Sequence, residues 1–409
     1  MKNVLLTVVW ICAAHVAFAS CTQFQKAGNS ANFVVTNAVD ELSVSGDSTF
    51  QAFVDRVNAA GSTDRSAIVD SFMSAATFPY VEGNTAVFIH RGSFSSVTVP
   101  GDANGWDADA FPLERLADTD FWYRREVFES TARLDYKFVV DGSNWILDPW
   151  NRHTVSGGAG PNSELAMLEY EQPTEIIFQP EIEHGTITDT LFASSALGNS
   201  RQVQIFLPAG YDTSSSYGMM LFHDGAEYLT LGSAGEVIDN LIASGEMKPI
   251  VGVFVPPIDR SNEYAFAQTD AFESFIVDEL MPWVMSEFAI SEDPGRRGTA
   301  GASYGGLIST QLCYRNPETF GLCGLYSPAY RPHNNAVMNE LLDGEEQDIT
   351  VYMDWGTYEE SIANTARVVR DELVSRGYDL LSHEWYEGHS WGSWRAHLDD
   401  MLLFFFGAE

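Results

Sequence analysis

Lysine is scarce in this sequence: among 409 residues only Lys2, Lys26, Lys137 and Lys248 occur. Lysine and arginine together number 22 against 57 acidic residues, for a formal charge of -35. Such a surface repels phosphate backbones and anionic lipid, which excludes nucleic acid and electrostatic membrane binding. Cysteine is scarce too, with Cys12, Cys21, Cys313 and Cys323 alone. None stands with histidine at metal-site spacing, so no metal site is expected. The apolar N-terminal run, 4–19, is broken by Thr7 and His15 and is too short to span a bilayer well. Hydrophobic residues are plentiful at 45%, enough for buried cores in more than one domain. The acidity fits either a high-salt habitat, where carboxylates hold hydration and salt screens their repulsion, or an ordinary acidic exported protein.

Residues 1–20 read as a signal segment, opened by Met1 and Lys2. Ala17-Phe18-Ala19 suits ordinary signal peptidase; Ala19-Ser20-Cys21 is similar to the end of a lipobox, with Phe18 where leucine is usual. Both place the mature chain outside the cytoplasm: secreted, periplasmic, or an outer-surface lipoprotein. A lipid on Cys21 would be its one membrane tie. In an oxidising compartment Cys313 and Cys323 can form a disulfide; as two buried thiols they need not.

A polar tether, 21–46, leads to a helical hairpin, 47–82. Phe50, Phe53, Val54 and Val57 share one face, and Ile68, Val69, Phe72 and Met73 a second. Residues 83–170 read as an all-β module of short alternating runs (86–90, 123–128, 134–139) broken by turns such as Pro100-Gly101-Asp102, Asn104-Gly105 and Asp141-Gly142. A connector, 171–200, carries Pro173, Pro180 and one further strand. From 201 to 409 strands alternate with helices, which implies an α/β fold with a doubly wound, mostly parallel sheet. The expected strands are 202–207, 218–222, 250–255, 297–300, 321–325, 350–354 and 382–386. The expected helices are 237–243, 269–285, 305–315 and 361–376.

Gly301-Ala302-Ser303-Tyr304-Gly305 is a G-x-S-x-G run between such a strand and such a helix. That setting makes Ser303 a candidate nucleophile lifted clear of the sheet, with helix N–H groups facing the reacting oxygen. A serine hydroxyl needs a base. His389 follows the last strand, and Gly388 leaves its loop free to carry the ring over the sheet edge. His223 is the competitor, but it precedes Ser303 in the chain. The acid belongs on the loop after 350–354, where Asp354, Glu359 and Glu360 are the candidates and Glu359 is favoured. The N–H of Gly225 or Ala226 would join that of Tyr304 in an oxyanion hole.

Two stretches resemble known families. Pro100–Trp106, Asp135–Gly142 and Trp145–Asn151 (PGDANGW, DYKFVVDG, WILDPWN) resemble the early-set, immunoglobulin-like sandwich of family-48-type carbohydrate-binding modules, also found at the front of enterochelin-esterase-like hydrolases. The resemblance implies glycan contacts for Trp106, Lys137, Trp145 and Asn162, or a sandwich core and cover with no sugar role. Residues 200–408 resemble the putative-esterase family through FLPAGY (206–211), HDG (223–225), DRSNEY (259–264), GASYGG (301–306), GTYE (356–359) and GHSWGSWR (388–395). That resemblance implies an α/β-hydrolase fold and ester hydrolysis through an acyl-enzyme, without metal or cofactor, and puts the acid on Glu359. It also marks Arg260 and Glu263 as lining or bracing the site, or as a plain internal ion pair. Tyr304, Trp355, Tyr358 and Trp391 are expected to form an aromatic substrate wall, or some of them to pack the core instead, and Arg260 to touch substrate. The acidic surface favours feruloyl or acetyl esters of a neutral polysaccharide. The alternatives are an anionic siderophore trilactone and an inactive exported carbohydrate-binding protein.

Overall fold

A strand covered on both faces must be mostly apolar or small, and five consecutive strands of this chain are buried along nearly their whole length. The computed structural model describes residues 49–408 except residue 159. The expected signal segment, tether and Cys21 lipid site lie outside the described residues. The sheet comprises β1 (Thr186–Ser194), β2 (Asn199–Leu207), β3 (Gly218–His223), β4 (Ile250–Val255), β5 (Arg297–Ala302), β6 (Leu322–Tyr326), β7 (Thr350–Gly356) and β8 (Asp379–Trp385). Their spatial order is β1-β2-β4-β3-β5-β6-β7-β8. The first two are antiparallel to their neighbours; β4, β3 and β5 to β8 run parallel.

Period-two alternation splits the core into two layers. Met219, Leu221, Val251, Val253, Leu325, Val351 and Met353 face one side. Met220, Phe222, Phe254, Ala300, Tyr326 and Tyr352 face the other. The first layer is closed by the helices Tyr304–Arg315 and Glu360–Arg376, the latter through Ala363, Ala366, Val369 and Leu373. The second is closed by Ala234–Ser244 and Leu398–Phe406. The single helix expected over 269–285 is three joined pieces, Thr269–Ser274, a π-helical turn Phe275–Leu280, and Met281–Glu287. Cys313 and Cys323 are both buried free thiols.

Ahead of the sheet, helices Thr49–Ala59 and Ser62–Ala75 lay Phe50, Phe53, Val57 and Val69 on Val87, Ile89 and Phe121. The opposite faces of the same strands, with Ala86 and Phe88, meet Leu134, Tyr136 and Leu165 from facing antiparallel strands. The helical hairpin therefore caps one side of an antiparallel β module. The other side leans on the half that holds the eight-stranded sheet: the Arg133 N–H donates to the Tyr386 carbonyl (3.0 Å) and the Tyr358 hydroxyl to Glu129 Oε2 (2.7 Å).

Candidate active site

Ser303 has φ 60° and ψ -117°, a conformation that side-chain-bearing residues rarely adopt, between β5 and the helix Tyr304–Arg315. The turn is over-determined. The Ser303 N–H donates to the Tyr326 carbonyl (2.9 Å), and its carbonyl accepts from Leu307 (3.1 Å) and Ala329 (3.0 Å). A Cβ on Gly301 would stand 2.5 Å from the Gly305 carbonyl carbon, so only glycine lets the chain double back.

His389 and Ser303 line one cavity of about 720 Å³. His389 Nδ1 lies 2.6 Å from Glu359 Oε2, which leaves Nε2 as the nitrogen without that partner. Glu359 is a buried carboxylate with three fixed donors. Its other oxygen accepts from Ser327 Oγ (2.6 Å) and the Gly356 N–H (3.0 Å). Ser327 is itself held by Trp394 Nε1 (3.1 Å), and the Trp394 ring stands edge-on to His389. Ser327 lies in no motif that marks it in the sequence, and Trp394 falls inside the GHSWGSWR run without any signal of this role; tertiary proximity recruits both.

The competing residues fall elsewhere. Asp354 is buried against the Tyr352 hydroxyl (2.9 Å), and Glu360 is exposed. Burial pushes the Asp354 carboxyl up to about 7. His223 is sealed in the core against Thr299 Oγ1 (2.9 Å), where burial, aided by Arg260, lowers its pKa to about 3.

The N–H of Tyr304 opens its helix, and Gly225 and Ala226 open Gly225–Thr230. In each helix the first intrahelical bond belongs to a later residue, Leu307 or Tyr228, so these donors are left over. Gly225 is a glycine for a different reason from close approach to a ligand: a Cβ there would collide with the backbone of Phe254 and Val255.

Arg260 lines the cavity but is forked onto Asp224 (2.7 and 2.8 Å) and the Ala302 carbonyl, while Glu263 pairs with Arg201. The expected Arg260–Glu263 ion pair is thus two separate pairs. Of the expected aromatic wall, Trp391 lines the cavity. Trp355 does not; it is 1% exposed in the first core layer, because β7 continues through it and its side chain takes the inward register. Tyr358 lies at the seam against Phe128 and Glu129. Tyr304 packs edge-on to Phe266. The opposite cavity wall belongs to the β module: Trp106, Lys137, Trp145 and Asn162 all face the cavity that holds Ser303. Trp145 is 45% exposed, and Asn162 Nδ2 donates to Asp135 Oδ2 (3.0 Å). Glu227 also lines the cavity, with a buried Oε2 that has no hydrogen-bond partner; burial raises its carboxyl above the usual range.

A hydroxyl on a strained turn, an imidazole with one nitrogen tied to a buried carboxylate, and spare N–H donors at two helix starts are what acyl transfer needs. The sequence profile described as Putative esterase matches residues 194–405. The chain belongs to that esterase family. Among its relatives, an endo-1,4-beta-xylanase/feruloyl esterase of Xylanibacter ruminicola is 28% identical over 207 residues, which is 47% of this chain and 28% of that protein. An iron(III) enterobactin esterase of Dickeya dadantii is 22% identical over 356 residues, 74% of this chain and 81% of that one. The match thus spans little more than a quarter of the first relative and most of the second. The crystal structure of ferric enterobactin esterase from Salmonella typhimurium superposes with a TM-score of 0.71 at 20% identity, covering 82% of this chain and 98% of that one. That likeness shows a shared fold.

Beneath the His389 loop of this esterase-family chain lies a buried charge cluster that makes a testable pH signature. His397 Nε2 contacts Glu387 Oε1 (3.0 Å), its Nδ1 faces Asp400 (3.5 Å), and its ring stacks on Trp385 at 4.0 Å. Burial opposes its charge, yet Asp400, Glu387 and Asp354 together raise its pKa to about 10. A histidine raised in the folded state stabilises fully below its unfolded pKa of about 6.5 and loses that contribution as pH rises through the folded value. His397→Gln should therefore lower the melting temperature most near pH 6, by several degrees, with the deficit shrinking toward pH 10. A deficit constant across that range would refute the charged pair.

Proposed function

We propose that this protein is a serine carboxylic-ester hydrolase. Ser303 attacks the ester carbonyl, and His389 takes its proton and then hands it to the departing alcohol. Glu359 orients and balances the imidazolium, and the N–H groups of Tyr304 with Gly225 or Ala226 receive the oxyanion. Water, activated by the same histidine, then releases the acid from the acyl-enzyme. The observation that carries this reading is the 2.6 Å His389–Glu359 contact on the cavity wall that also holds Ser303.

The substrate we infer is a neutral ester with an aromatic or sugar-borne group, such as a feruloyl or acetyl ester of a polysaccharide. Trp106, Trp145, Trp391 and Trp394 offer flat apolar faces around the serine. The cavity charges nearly cancel, since Arg260 is spent on Asp224 and Asp135 on Arg133, which leaves Lys137 and Glu227 as one charge of each sign. The reading takes 83–170 as an early-set, immunoglobulin-like sandwich that walls the catalytic cavity and presents its sugar-type residues there. It also takes the chain as exported, with Cys21 as a lipid site. A trilactone substrate is the second reading, favoured by the likeness of the whole 82% aligned length to an enterobactin esterase fold.

A side-by-side assay decides. Methyl ferulate and acetylated xylan should be cleaved with kcat/KM at least about 10-fold above a tri-catecholate lactone, an edge of about 1.4 kcal/mol. Lys137→Met and Trp145→Ala should raise KM for methyl ferulate while leaving p-nitrophenyl acetate hydrolysis within twofold. Preference for the lactone would reverse the choice.

A further inference from the structure

The segment 386–392 that carries His389 meets the β module at Tyr386, Glu387, Gly388, Ser390 and Gly392. The Arg133 N–H donates to the Tyr386 carbonyl (3.0 Å), and Arg133 pairs with Glu387 as a parallel bridge beside β8. Gly388 has no room for a side chain because the Asp102 carboxylate occupies the space, and Gly392 has none because the Arg133 guanidinium does. Between these two glycines, Arg133 Nη1 donates to Ser390 Oγ (3.0 Å). From the sheet side, Thr357 and Tyr358 donate to the carbonyls of Trp385 and Glu387 (2.7 and 3.2 Å). The glycine at 388 is therefore a matter of close approach by the β module and not of loop freedom.

Arg133 is itself held rigidly. It is 1% exposed, with Nε and Nη2 on Glu164 Oε2 (both 3.0 Å) and Nη2 on Asp135 Oδ1 (2.6 Å). Asp102 Oδ2 accepts from the Asp135 N–H (2.7 Å), and the Trp106 indole is tied to Asp102 Oδ1 (3.0 Å). A guanidinium fork locked on two carboxylates has one nitrogen left to spend, and it is spent on the residue next to His389.

We propose that Arg133 is a positioning residue for the reaction: through Ser390 it fixes the His389 ring in line with Glu359 and Ser303, so the β module is part of the catalytic apparatus and not only a wall of its cavity. This rests on the serine-esterase reading above. Catalysis by a histidine is sensitive to displacement of about an ångström, which can cost about 100-fold. The loop is held from both halves of the molecule, and the Arg133–Ser390 bond is the side-chain hydrogen bond that the β module makes to the residue beside His389.

The primary variant is Ser390→Ala, because removing Arg133 strands Asp135 and Glu164 as buried unpaired charges and endangers folding. With p-nitrophenyl acetate, which needs little of the cavity, Ser390→Ala should lower kcat per active site about 30-fold with KM within twofold. Active sites are counted by fluorophosphonate titration. Ser390→Thr, which keeps the hydroxyl, should recover activity to within about threefold, and Arg133→Lys, which keeps the charge but not the fork, should stay impaired. The acid limb of the kcat/KM–pH profile should move in Ser390→Ala and return in Ser390→Thr. The proposal is overturned if kcat per titrated site is unchanged and the profile does not move, or if the loss appears only as fewer titratable sites. No turnover by the wild type, or turnover that survives Ser303→Ala, would instead sink the esterase reading on which the proposal stands.

Discussion

Ser303→Ala should abolish ester hydrolysis, with kcat lower by at least about 10⁴-fold and no labelling by a fluorophosphonate probe. The effect is expected to be this large because nothing adjacent can substitute. Thr299 is buried against His223, and Ser327 is committed to Glu359. Neither lines the cavity, and Ser390, which does, sits on the loop beside His389 with its hydroxyl held by Arg133 Nη1. The substitution should cost little stability, since it deletes one oxygen at the cavity edge and the turn is fixed by backbone bonds from Tyr326, Leu307 and Ala329. Relief of a side chain from a strained φ of 60° is small between serine and alanine, as both carry a Cβ. A melting temperature within about 2 °C of wild type with activity gone separates a lost nucleophile from a lost fold. Labelling that persists in Ser303→Ala would place the nucleophile elsewhere.

Glu359→Gln should lower kcat by about three to four orders of magnitude, while Glu360→Gln stays within about twofold. The amide keeps the shape of the carboxylate but not its charge. It can present an N–H toward His389 Nδ1 and so favour the tautomer that cannot take the serine proton. The carboxylate also accepts from Ser327 and the Gly356 N–H, and an amide cannot accept from every donor now converging on it. Part of the loss will therefore be misorientation, visible as a lower melting temperature. Asp354→Asn, removing an acid that touches Tyr352 and Trp385 but not His389, should leave kcat far nearer wild type. Steady-state rates of the three variants on p-nitrophenyl acetate check this; a larger loss in Glu360→Gln or Asp354→Asn would reassign the acid.

Much of the sheet and the serine turn could be read along the chain because both depend on local pattern. Runs such as 218–223 and 250–255 are apolar throughout, as a strand covered on two faces must be. The G-x-S-x-G turn needs its glycines where the helix folds back on the strand, and that requirement is met within five residues. What went astray was orientation. Trp355 sits one residue past the expected end of its strand; β7 runs to Gly356, and register turns the indole into the core. Tyr358 lies near the site in sequence, yet its hydroxyl reaches across to Glu129, 229 positions earlier. Neither outcome has a local signature.

By itself the sequence determined a charge of -35, a parallel core, a serine at a strand-to-helix turn and a short list of partners for it. Only the tertiary structure decided which carboxylate meets His389, that Arg260 and Glu263 serve different partners, and that Trp106, Lys137, Trp145 and Asn162 look onto the serine. The physical reason is range. Backbone propensity and hydrophobic period act over a few residues, while a hydrogen bond such as Arg133 to Ser390 joins positions 257 apart. Such a bond exists only after two independently patterned halves have packed.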